Sequence, residues 1–214
     1  MRKLLTGIHN FSTKVFPKQQ KHFEALSQGQ NPHTLLITCS DSRIDPNLVT
    51  QTKPGEIFIV RNVGNIIPPY GASRGCEEAA IEFAVDGLNV KNIVVCGHSQ
   101  CGAMTALASN RDLDTMPAVK RWLDHAQSTK RRMIDNPSSS IAQVIDDNVL
   151  VQVDNLKTHP AVSAAIRSDR VRVFGWVYNF ESGSISVYDR TARAFINCSS
   201  INIEASEDVE RFAL

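Results

Sequence analysis

No stretch of this 214-residue chain stays apolar long enough to cross a bilayer, and its N-terminus lacks the continuous apolar run of a signal peptide. Net charge is nearly absent too. At a formal +1, no field draws the chain to nucleic acid or to an anionic membrane, so neither is expected as a partner. Repeats, low-complexity tracts and linkers long enough to separate domains are all missing. The five cysteines (Cys39, Cys76, Cys96, Cys101, Cys198) are odd in number and irregular in spacing, which argues against a disulfide framework. They fit a reducing compartment, the cytoplasm, with some thiols free to bind metal. Acidic residues are absent before Glu24, while Arg2, Lys3, Lys14, Lys18 and Lys21 precede it. Such a composition resembles an organelle transit peptide. Leu4, Leu5, Ile8 and Phe11 keep helical spacing, however, and predict a basic amphipathic helix packing on the body or on a partner subunit.

What is present describes one globular domain. A hydrophobic fraction of 42% and a charged fraction of 21% are ordinary for a packed chain. One core of this size buries about 70% of the unfolded surface, so folding needs no cross-link. The expectation is a single domain over 1–214: an N-terminal helical arm (1–30), a core (31–190) and a C-terminal tail (191–214). TLLITC (Thr34 to Cys39), EIFIVR (Glu56 to Arg61) and NIVVCG (Asn92 to Gly97) are short β-branched runs, hence buried strands. Between the last two, Ala80, Ile81, Ala84, Val85 and Leu88 keep helical spacing. This alternation predicts an α/β fold with a mostly parallel central sheet flanked by helices. Further helices are expected from near Cys101, from Pro117, and from Ser140 to about Leu156. RVRVFGWVY and SISVYD predict a late hairpin turning at Glu181-Ser182-Gly183.

The informative residues stand where two predicted strands end. Strand TLLITC delivers Cys39-Ser40-Asp41-Ser42-Arg43, and strand NIVVCG delivers Gly97-His98-Ser99-Gln100-Cys101. Carboxyl ends of parallel strands are where sites assemble in open α/β sheets. Cys39, His98 and Cys101 would supply two thiolates and an imidazole to a tetrahedral Zn2+, with one place left over, the pattern of a catalytic site. Asp41 would either take that place or hydrogen-bond a water in it. Arg43 is a bidentate partner able to hold the carboxylate away. Each piece has a plainer reading: a buried structural thiol, a chance His-x-x-Cys, a solvated ion pair. Their convergence on two strand ends favours the metal. His9, His22, His33, His125 and His159 are expected to be exposed or locally satisfied, and Trp122 and Trp176 to serve packing.

CSDSR and GHSQCG, with the intervening PGEIFIVRNVGNIIPPYG and the later THPAV and FGWVYNFESGS, resemble the β-class carbonic anhydrases. The likeness runs from about Gln30 to Asp189 and is nearest the plant-type branch found in bacteria and cyanobacteria, carboxysomal members included. It implies reversible hydration of CO2 to bicarbonate by a zinc-held hydroxide, with Cys39, His98 and Cys101 as ligands and Asp41–Arg43 as the catalytic dyad. Asp41 would reach the metal only in a closed state. The resemblance further implies that Gln30 donates to the substrate, and that Phe58 and Val63 line an apolar pocket. Phe83 stands where the family usually has tyrosine, and Ser73 to Glu78 also departs from the common pattern. A homodimer, or a dimer of dimers, is implied, with the arm crossing to the partner and with Gln30 and Phe58 serving a pocket across the interface. A bicarbonate-inhibited branch has tryptophan where Leu36 stands, although Arg61 and Tyr178 match its other two positions. A constitutively open site is therefore expected. The same scaffold could instead hydrolyse carbonyl sulfide or carbon disulfide, or hold zinc without catalysis.

Overall fold

The computed structural model describes residues 1–109, 111–202 and 210–214. Two compact units make up the chain, Met1–Asn31 and Pro32–Leu214. The first is helical: α1 (Arg2–Asn10), one wide π-type turn (Phe11–Val15) and α2 (Phe16–Leu26). Phe11, Phe16 and Phe23 cluster there with ring centroids 5.4–6.2 Å apart. Leu4, Leu5 and Ile8 stay exposed.

Among its described residues the second unit is built on six strands: β1 (Thr34–Cys39), β2 (Ile57–Asn62), β3 (Asn92–His98), β4 (Arg172–Tyr178), β5 (Ile185–Asp189) and β6 (Ala194–Asn197). Their order is β2-β1-β3-β4-β5-β6, parallel through β4 and antiparallel beyond. The helices are α3 (Pro46–Thr50), α4 (Cys76–Glu82), α5 (Gly102–Ala108), α6 (Pro117–Leu123), α7 (Gln127–Asp135), α8 (Ile141–Lys157) and α9 (Pro160–Arg167). A π-type turn (Phe83–Gly87) extends α4, so the helix expected from the spacing of Ala80 to Leu88 is present with its last turn widened.

Alternation along the strands sorts the core. Leu35, Ile37, Ile93, Val95 and Val173 point to one face, where Val149, Val153 and Leu156 of α8 and Val162 of α9 bury them. Leu36, Val94, Cys96 and Phe174 point to the other, packing with Val187 of β5 and with Phe212. Strand β6 and Phe212 lie in the stretch read from sequence as a tail. Strand β6 extends the sheet at the β5 edge, Phe212 packs on one face, and the Leu214 N–H donates to the Val173 carbonyl (2.8 Å). The acidic run 203–209 lies outside the described residues.

Helix α8 starts cleanly because Ser140 and Gln143 cap each other reciprocally. It then lies unusually close to the sheet. The fully buried Val149 sits over Gly97 and Gly175, where an added Cβ would come 2.8 and 3.0 Å from its two methyls. That closeness brings a polar stripe of α8 onto the loop after β2. The Asn148 amide donates to the Gly64 carbonyl (3.1 Å), Gln152 accepts from the Ile67 N–H (2.8 Å), and Asn155 donates to the Ile67 carbonyl (2.9 Å).

Candidate metal centre

Strands β1 and β3 are hydrogen-bonded parallel neighbours, with Thr38 opposite Cys96. Their ends therefore deliver Cys39 and His98 side by side. Cys101, an extended residue just before α5, closes the group. One donor atom from each of the three lies within 4.8 Å of the others, and all three residues are buried.

The donors are prepared for a cation. His98 Nδ1 lies 2.9 Å from the Ser99 carbonyl, which can only accept, so Nδ1 carries the proton and Nε2 offers its lone pair. Nε2 is buried with no hydrogen-bond partner, an arrangement costing about 1–3 kcal/mol unless something coordinates it. Cys39 is held well below the ordinary thiol range, chiefly by the Cys101 thiol and also by the Gly64 N–H (3.3 Å from Sγ), against the opposing push of burial. The same contact, with burial, pushes Cys101 up. Two sulfurs sharing one proton beside a bare imidazole nitrogen fit a soft divalent ion such as zinc.

Beside them Arg43 grips Asp41 bidentately: Nε to Oδ1 at 2.9 Å, Nη2 to Oδ2 at 2.7 Å, with the Arg43 N–H adding a third bond to Oδ1 at 3.0 Å. This holds the carboxyl far below the usual carboxylate range. Arg43 also donates through Nη1 to Gln100 Oε1 (3.2 Å) and lies 4.4 Å over the Phe180 ring. Arg61 holds the backbone beneath, donating to the carbonyls of Cys39 (3.0 Å) and Asp41 (2.7 Å). Glu181, at the β4–β5 corner, receives hydrogen bonds from Ser99 Oγ (2.9 Å) and from the Gln100 amide. A cavity of about 400 Å³ opens here, lined by Cys39, Asp41, Val63, Ala103, Met116 and Val119 among others.

The carbonic anhydrase family profile matches residues 34–185. A carbonic anhydrase of Synechococcus elongatus is 46% identical over 90% of this chain and 73% of its own length. Carbonic anhydrase 1 of Escherichia coli O157:H7 is 46% identical over 92% and 91%. The structure of the β-carbonic anhydrase CcaA superposes with a TM-score of 0.89 at 41% identity, covering 92% of this chain and 98% of that one. The chain is a β-class carbonic anhydrase.

In this β-carbonic anhydrase the structure brings together Cys39, Asp41, Arg43, Val63, His98 and Cys101 in one chain. Phe58 and Phe83 lie elsewhere, paired with each other at a centroid distance of 6.0 Å. Phe58 sits opposite Leu35, four residues before Asn62, which faces Cys39; at about 3.3 Å per residue that is roughly 13 Å down the strand from the donors. Phe83 is half exposed at the end of α4. Gln30 belongs to the helical unit and is exposed.

Other residues of the anhydrase escaped the sequence reading. Trp122, read as packing, also donates its indole N–H to the Val63 carbonyl (2.7 Å). Gln100 and Glu181 brace Arg43 and Ser99 through side chains whose types carry no motif of their own. Only the place of Gln100 inside GHSQCG could have drawn attention to it. His159 is buried and satisfied locally by the Pro68 carbonyl (3.1 Å).

Proposed function

We propose that this enzyme hydrates CO2 reversibly to bicarbonate and a proton, with zinc held by Cys39, His98 and Cys101. The observation that carries the reading is the orphaned Nε2 of His98 facing two sulfurs, next to a carboxylate already committed to Arg43. When bound, zinc supplies Lewis acidity and brings a water to a pKa of about 7, the figure known for carbonic anhydrases generally, and so a nucleophile for CO2.

The chain's own residues do the rest. Asp41 stays anionic throughout the working pH range and can accept a proton-bearing group beside the donors. Arg43, with Gln100 behind it, would keep that carboxylate from binding a metal held by the three donors. Val63 and the other apolar walls suit a linear, uncharged substrate and disfavour retention of the anionic product. We infer that Gln30, Phe58 and Phe83 serve the pocket of a second copy, which would explain why one chain keeps the phenylalanines away from its own donors. The exposed apolar side chains of α1 would pack on that copy. Tetrameric β-carbonic anhydrases from Sordaria macrospora, 26% identical at a TM-score of 0.78, support an assembly of this kind. Free thiols at Cys76, Cys96 and Cys198 fit a cytoplasmic enzyme.

Stopped-flow CO2 hydration, run beside sulfide release from carbonyl sulfide and carbon disulfide, tests the reading. About one zinc per chain is expected, with CO2 turned over far faster than either sulfur compound. Alanine at Cys39, His98 or Cys101 should abolish metal uptake and activity together. Full activity in metal-free protein would sink the mechanism, and faster turnover of a sulfur substrate would reassign the reaction.

A further inference from the structure

The loop after β2 has no strand partner at Val63 and Gly64, yet one of its peptide groups touches the candidate metal centre. The unit joining Val63 to Gly64 is trans and planar, so its C=O and N–H point opposite ways and turn together. Its N–H donates to Cys39 Sγ at 3.3 Å. Its carbonyl accepts from Trp122 Nε1 at 2.7 Å. One indole, one peptide plane and one sulfur are thus in line.

The surroundings leave this plane little other support. Gly64 has φ +80°, and a Cβ there would stand 2.9 Å from that of Ala103, so the chain must be glycine to pass so near α5. The next carbonyl, that of Gly64, is held by Asn148. The Asn62 side chain spans Ile66, accepting from its N–H and donating to its carbonyl, both at 2.8 Å. The tilt of the first peptide is left to Trp122. The Trp122 ring is itself seated, packed with the α5–α8 core cluster and edge-on to His125 at 5.5 Å. Its indole N–H can only donate, so it has one way to serve a carbonyl.

We propose that Trp122 is a positioning residue for the metal centre. By fixing the Val63 carbonyl it aims the Gly64 N–H at Cys39 and tempers how strongly that sulfur donates to the ion. Partners of this outer kind commonly govern metal affinity or activity by about 10- to 100-fold. The inference rests on Cys39 being a metal ligand.

Trp122→Phe keeps a ring in the cluster and removes the N–H alone. With Co2+ replacing zinc in the full-length protein, the thiolate-to-cobalt absorption should move to longer wavelength in this variant, because a sulfur relieved of a hydrogen bond yields its electron more easily. Zinc release to excess chelator should slow by about tenfold, because the stronger donor holds the ion more tightly. Trp176→Phe, on the other face of the sheet, should change neither. Should Trp122→Phe fail to fold, the wild-type protein loaded with 113Cd gives a second reading: the Gly64 amide proton should show scalar coupling to cadmium through Cys39 Sγ. An unmoved absorption band with unchanged release in folded Trp122→Phe, or no such coupling in the wild type, overturns the role of Trp122. Failure of the wild type to take up one metal per chain would instead overturn the ligand assignment beneath it.

Discussion

Arg43 and Asp41 meet through two parallel hydrogen bonds, at 2.9 and 2.7 Å, and the guanidinium goes on to Gln100 and to the face of Phe180. An arginine anchored on its far side cannot swing away without losing several contacts at once. Asp41→Ala should keep most of its metal and lose activity by about 10- to 100-fold, as outer-shell changes do. Arg43→Ala should cost a comparable factor for a different reason: its released carboxylate competes for the metal. Zinc content and kcat measured on both variants check this, and an Arg43→Ala enzyme with wild-type kcat would refute the restraining role.

Bicarbonate should not inhibit through a second site. Leu36, where an indole donor would be needed, is buried among Val94, Phe174 and Phe212. Arg61 already spends its N–H groups on the Cys39 and Asp41 carbonyls. One missing partner for a buried anion costs about 1–3 kcal/mol, or roughly five- to a hundredfold in affinity. Activity measured from pH 6.5 to 8.5, with and without added bicarbonate, should follow a single ionisation. Steep cooperative loss below neutral pH, deepened by bicarbonate, would contradict it.

Gly97→Ala should destabilise the fold by about 1–3 kcal/mol. The new methyl would stand 2.8 Å from Val149 Cγ2 and 3.3 Å from Ile145 Cγ2, and α8 would have to lift. Because α8 clamps the loop carrying Gly64, activity should fall along with the melting temperature. A stable Gly97→Ala protein with reduced activity would point to the loop alone; no change in either would mean the close seating of α8 is dispensable.

Asp146 on α8 is pushed up to about 6, first by burial and then by the charge of Asp147. A carboxyl whose folded value lies above its unfolded one keeps its proton longer in the native state. Its burden on stability is therefore absent below about pH 4, grows as pH rises to about 6, and is complete above that. Asp146→Asn should raise stability at pH 7.5 by about 1 kcal/mol, after allowance for the partial exposure of the group, and change little at pH 4. Denaturant melts at the two pH values check the sign, and equal shifts at both would remove this account.

The parallel strands and the three donors were legible in the sequence because each strand is a compact β-branched run and each motif begins where a run stops. Strand β6 was not. Ala194–Asn197 is four residues long and only half buried along its length, and it exists because β5 offers it an edge. The cover supplied by Phe212 was equally hidden, since a single phenylalanine near an acidic stretch has no periodicity to read. Trp122 shows a different limit. Its spacing with Val119 and Leu123 announces a helix face, and nothing in that spacing tells where an indole N–H will point. Phe58 and Phe83 came from family likeness alone, and the register of β2 places Phe58 far from the donors of its own chain.

The ladder between β1 and β3 carries a consequence for how the molecule can vary. Cys39 and His98 are far apart along the chain, yet only one interstrand step and one residue of register separate them, fixed by Leu36 opposite Val94 and Thr38 opposite Cys96. The stretch 70–82 around α4, clear of Asp41, Arg43, Arg61 and the Val63–Gly64 peptide, can lengthen, shorten or repack while the two donors stay in registration. That surface is thereby uncoupled from the chemistry, and natural divergence should concentrate there while leaving the strand ends alone.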